Sequence, residues 1–119
     1  PRDKRSPREV FIMPAAVRKD GVDVTSDPDG AGLCCASPAN HSTAAGSSNV
    51  FTNSIGNVRH GDAMITHPYP GPCCTPHAPT CSTHSTNVFI NGKGAMRKGD
   101  VFGGDHVAIT GSSNVFING

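Results

Sequence analysis

The sequence predicts an all-β domain, a small cone of three short β-hairpin repeats with approximate threefold symmetry, and three observations carry that prediction. Glycine (14) and proline (10) make up about a fifth of the 119 residues, a proportion that disfavours helices and favours short strands joined by frequent turns. A segment of fourteen residues recurs without gaps: residues 49–62 and 87–100 agree at eight of fourteen positions. A third copy opens at Asn114-Val115-Phe116-Ile117-Asn118-Gly119, and the first and third copies are both introduced by Gly-Ser-Ser. The repeats are spaced by 38 and then 27 residues, so they form no regular solenoid. Three related hairpins in one closed unit cover one another's edges instead.

Size and composition bound what such a domain can be. A chain of 119 residues with 35% hydrophobic residues, no Trp, one Tyr and five Phe has little material for a thick core. Domains of this kind often take a metal, disulfides or a partner to hold their shape. Ten basic and nine acidic residues leave a net charge of +1, so no nucleic-acid partner is expected, because phosphate neutralisation needs a basic surplus. There is no apolar run long enough to cross a membrane, and no Sec-type leader is expected, because the basic start at Arg2, Lys4 and Arg5 is not followed by an apolar stretch.

In chain order, Val10-Phe11-Ile12-Met13 reads as a short strand ended by Pro14. Residues 15–19 have the makings of one helical turn, stopped by Asp20-Gly21, and Asp27-Pro28-Asp29-Gly30 is a turn. Residues 1–33 are therefore read as an irregular lead-in wrapping the base, and residues 34–119 as the repeat cone. Each repeat is a hairpin. Asn-Val-Phe begins a strand, Asn91-Gly92 or its counterpart from Asn53 to Gly56 supplies the turn, and Val58-Arg59 or Met96-Arg97 returns to a Gly-Asp turn. Within the first strand Val and Ile point one way and Phe the other. The third hairpin lacks its return strand, and residues 9–14, residues 22–25 or a partner are expected to close its edge. Asp62 and Asp100 are expected to accept backbone hydrogen bonds in their turns. His60, matched by Lys98 in the second copy, is expected at the surface.

Five cysteines and six histidines are many for this length. An odd cysteine count cannot pair fully within one chain, which gives metal ligation at least equal weight with disulfides between the Cys34-Cys35 and Cys73-Cys74 pairs. His41 lies eight residues before Asn49 and His106 eight before Asn114, so the two occupy one place in the first and third repeats. The middle connection carries His67, Cys73, Cys74, His77, Cys81 and His84. A threefold cone gathers its connecting loops at one end, and three imidazoles with one thiolate make an ordinary zinc set. The expected ligands are His41, His77, His106 and Cys81, with His67 and His84 competing with His77, and Cys73 and Cys74 with Cys81. No catalytic residues are expected and the protein is read as a non-enzyme: there is no His-Glu-x-x-His run and no Gly-x-Ser-x-Gly, and the only glutamate is Glu9.

These repeats resemble the PAAR-repeat family, the spike-tip proteins of type VI secretion systems and contractile phage tails. The match is best over residues 87–100, where Gly94-Ala95-Met96-Arg97 stands in place of Pro-Ala-Ala-Arg; the first copy has Gly56-Asn57-Val58-Arg59 there, and both keep the Asn-Val-Phe, Arg and Gly-Asp anchors. The resemblance implies a β cone whose base sits on a trimeric β-helix or β-prism spike, one copy per trimer. It implies a single structural Zn2+ holding the vertex, and transient contact with a target membrane during piercing. The site would be a virion tail tip or a secreted injection particle, assembled in the cytoplasm. No cargo domain is expected after Gly119. The alternative reading is a small metal- or disulfide-stabilised secreted binding module.

Overall fold

The computed structural model describes residues 14–26, 40–68, 76–104 and 106–118. They form an all-β body without helices, built from strands of two or three residues. The strands are β1 (Val24–Ser26), β2 (Asn40–Ser42), β3 (Phe51–Thr52), β4 (Ile55–Gly56) and β5 (His67–Pro68). They continue as β6 (Pro76–His77), β7 (Phe89–Ile90), β8 (Lys93–Gly94), β9 (Val101–Phe102) and β10 (His106–Ala108). Strands this short hold no stable sheet alone, so the order comes from how they are joined.

The two complete repeats are the hairpins β3–β4 and β7–β8. Each turns through two residues with positive φ, Asn53 (55°) and Ser54 (69°) in one, Asn91 (55°) and Gly92 (78°) in the other. That is the mirror-image turn whose twist suits a hairpin, and Ser54 occupies it at some steric cost that Gly92 avoids. Strand alternation leaves Phe51, Phe89 and Phe116 outside while Thr52, Ile90 and Ile117, the next residues, are buried.

The third repeat is completed from the start of the described chain. Ala15 bridges Phe116, Ala16 donates its N–H to the Val115 carbonyl, and Ile117 donates to that of Pro14. Of the two intrachain segments expected to close this edge, residues 9–14 contribute Pro14, with residues 9–13 outside the described residues; residues 22–25 instead feed β1, which pairs with β2 and β10. Nor do residues 15–19 form a helical turn. Residues 15–18 are drawn out by bridges to Phe116, Arg97 and Asn57, and tertiary pairing overrides the local helix preference of Ala-Ala. The stretch read as a lead-in thus contributes residues 14–26 to the same hydrogen-bonded body as the repeats. The Asp27-Pro28-Asp29-Gly30 turn lies outside the described residues.

At the centre the three return segments bond head to tail. Val58 N–H donates to Val17 C=O (2.9 Å), Met96 N–H to Val58 C=O (2.9 Å), and Val17 N–H to Met96 C=O (3.3 Å). The three bonds close a cycle, and all three residues are fully buried. Their side chains join Met64, Cys81, Phe102 and Ala108 in the main core, while Ala16, Ile90, Ala95 and Ile117 form a second cluster with Val88 and Val115.

Beyond this cycle the chain forms a ring of paired segments. The sheet runs β2-β1-β10-β9. Bridges Phe102–Cys81, Thr80–Ala63 and Met64–Thr43 carry the pairing round from β9 back to the end of β2. A ring has no open edge, and its interior is filled by Thr25, Met64, Phe102, Thr43, Cys81 and Ala108, all buried.

Candidate metal centre and docking face

Each repeat repeats its polar contacts as well as its backbone. Ser47, Ser85 and Ser112 each accept, at Oγ, the N–H groups of the residues two and three further on, at 2.9 to 3.2 Å. Each serine also donates to the turn of another repeat: Ser47 to Asn91 Oδ1 (2.8 Å), Ser85 to the Asn118 carbonyl (2.7 Å) and Ser112 to Asn53 Oδ1 (2.6 Å).

Three arginine–aspartate pairs brace the return segments. Arg18–Asp23, Arg59–Asp62 and Arg97–Asp100 each place Nε 2.9 Å from Oδ2 and Nη2 within 3.1 Å of Oδ1. The arginine's own N–H also donates to Oδ2. The aspartates do accept backbone hydrogen bonds, but the guanidinium forks are the larger part of what they hold. The Arg18–Asp23 member was missed by sequence reasoning, although Val17-Arg18-Lys19 and the later Asp23 echo Val58-Arg59-His60 and Asp62. Burial pushes the Asp23 carboxyl up, and hydrogen bonds from the Arg18 side chain and N–H and from Thr110, with the Arg18 charge, outweigh it and hold the pKa below the ordinary value.

A depressed carboxylate pKa stabilises the fold above the unfolded value of about 3.9, and that contribution is lost as pH falls through the folded value. Wild type and Asp23→Asn should therefore differ in urea midpoint at pH 7, with the gap shrinking at pH 3; an unchanged gap would show that Asp23 gains nothing from ionisation.

Four residues before each repeat's serine stand Thr43, Cys81 and Ala108, whose N–H groups donate to the carbonyls of Asp23, Asp62 and Asp100. Two residues further out stand His41, Pro79 and His106. His41 on β2 and His106 on β10 are both buried, on the two strands that flank β1. His77 on β6 brings its ring to 5.3 Å from that of His106, edge to face. His67 on β5 is the backbone partner of His77.

Cys81 does not stand at this level. It fills the core site that Thr43 and Ala108 fill in the other repeats, bonds the Thr83 carbonyl through Sγ (3.2 Å) and is a free thiol. Burial, with the charges of Asp100 and Asp62, pushes its pKa up to about 12. His84 is likewise apart, its ring 4.6 Å from that of His60, so that His60 is exposed as expected but not solitary. Among the described residues no three His, Cys, Asp or Glu side chains stand close enough to hold an ion as placed. His41, His77 and His106 have the donor chemistry for a borderline-soft ion; Cys34, Cys35, Cys73 and Cys74 lie outside the described residues.

The three repeat phenylalanines are exposed: Phe51 58%, Phe89 59% and Phe116 48%. No helix among the described residues is long and apolar enough to cross a membrane. No family model matches the chain, and no curated protein matches it.

Proposed function

We propose that this chain is the tip of a contractile injection machine, a pseudo-threefold cone that caps a trimeric spike with one copy per trimer and performs no catalysis. The observation that carries this reading is the head-to-tail cycle through Val17, Val58 and Met96. Three segments of one chain meet there head to tail, an arrangement that supports an approximate threefold match to a trimer. The cyclic serine contacts, the three arginine–aspartate forks and the three exposed phenylalanines support the same symmetry. So does the resemblance to PAAR repeats over residues 49–62 and 87–100, and Ala16-Val17-Arg18 pairs with the segments around Asn57-Val58-Arg59 and Ala95-Met96-Arg97.

The mechanics follow from the proposed shape. A trimeric spike ends in three open strand ends, which fray under load. A closed chain with apolar residues on its base covers those ends and narrows to a point. A metal suits a vertex too narrow for an apolar core, because binding energy then becomes folding energy. His41, His77 and His106 would hold the zinc, which supplies a structural crosslink between segments far apart in sequence; Cys81, the expected thiolate, lies in the core.

Phe51→Ser, Phe89→Ser and Phe116→Ser combined should weaken binding to the trimeric spike by about 100-fold or more, since buried aromatic anchors dominate such contacts. The melting temperature of the isolated chain should barely move, because exposed positions contribute little to folding. Spike binding that survives all three changes would sink the proposed base.

A further inference from the structure

At each junction between repeats, the residue after the arginine of one repeat lies over the next. Lys19 N–H donates to Gly56 C=O, His60 N–H to Gly94 C=O and Lys98 N–H to Ala15 C=O. At the first of these junctions the Lys19 side chain covers Gly56 and Gly46, the glycine before Ser47. At the third, Gly111 precedes Ser112. The middle junction alone departs on both sides: His60 replaces the lysine and His84 replaces the glycine. The two rings meet with centres 4.6 Å apart, tilted by 35°.

His84 is held in the tautomer that a metal needs. Its Nδ1 lies 2.8 Å from the Ser85 carbonyl. A carbonyl only accepts, so Nδ1 carries the proton and the neutral ring keeps its lone pair on Nε2. A hydrogen bond of this kind from the far nitrogen is how ligating histidines are oriented. The ring rests on Gly94, where an added Cβ would collide with it. Two imidazoles that each reach one ion at about 2.1 Å have ring centres roughly 4.5–5.5 Å apart, and the observed spacing lies in that range.

We infer that His60 and His84 form a second metal site, a two-imidazole surface site for a borderline divalent ion such as Cu2+ or Ni2+, with water completing the coordination. The site is distinct from His41, His77 and His106 on β2, β6 and β10, and it does not depend on the spike-tip reading. It joins the first and second repeats at the one junction where the lysine is missing.

The test is calorimetric titration of the protein as purified with Cu2+ alone at pH 7.5, beside His60→Lys and His84→Gly, which restore the residues of the other junctions. Wild type should bind one more equivalent than either variant, or bind it at least about tenfold more tightly. Identical titrations for wild type and His60→Lys would show that the two rings merely stack and would overturn the site. Should His84→Gly fold poorly, His60→Lys decides alone, because it leaves His84 on Gly94.

Discussion

Purified His106→Ala should lose its zinc, from about one ion per chain to near none, and with it much of its resistance to unfolding. Structural zinc contributes its binding energy to folding directly, and His106 is only 2% exposed, with the His77 ring against it. Cys81→Ala is the matched control. Its Sγ sits among Val17, Val58, Met64, Met96, Phe102 and Ala108, and Ala108 already fills the equivalent position of the third repeat. That variant should keep its zinc and lose only about 1–2 kcal/mol, the order of a small side-chain deletion in a core. Metal analysis with a melting curve checks both. Zinc lost from Cys81→Ala and kept in His106→Ala would reverse the assignment.

Phe102→Ala should cost about 3–5 kcal/mol, the usual range for truncating a buried phenylalanine. Phe102 has no exposed surface and is the largest side chain in the main core. It also bridges Cys81 and pairs with His106, so it joins three segments of the ring. A small domain stable by about 5–15 kcal/mol would be left near its unfolding threshold. Phe89→Ala, at a position 59% exposed, should cost under about 0.5 kcal/mol. Urea denaturation of the two variants makes the comparison, and equal losses would contradict the division between inward core and outward base.

The repeats were legible because they are local. Asn-Val-Phe followed by Asn91-Gly92 encodes its own hairpin, and the chain turns there with both residues at positive φ. The shared spacing of His41 and His106 carried them to matching buried positions on β2 and β10. The completion of the third repeat was harder to read. Asp23 follows Arg18 by five residues where Asp62 and Asp100 follow their arginines by three, so a gap-free comparison passes over it. Its partner strand also lies some hundred residues away, and composition carries no trace of that pairing. Cys81 was expected as the thiolate from its residue type and its place in the middle connection. Counting back from Asn87, as from Asn49 and Asn114, puts it beside Thr43 and Ala108, a core position. The meeting of His60 with His84 depends on two departures in different repeats, visible only once the junctions are aligned.

The most direct test of the central claim is native mass spectrometry of this chain mixed with the trimeric spike of its own particle. The proposed tip predicts one chain bound per three spike chains, carrying about one zinc. Three chains per trimer, or no complex together with cysteines paired as disulfides, would contradict a pseudo-threefold cap and favour a small secreted binding module.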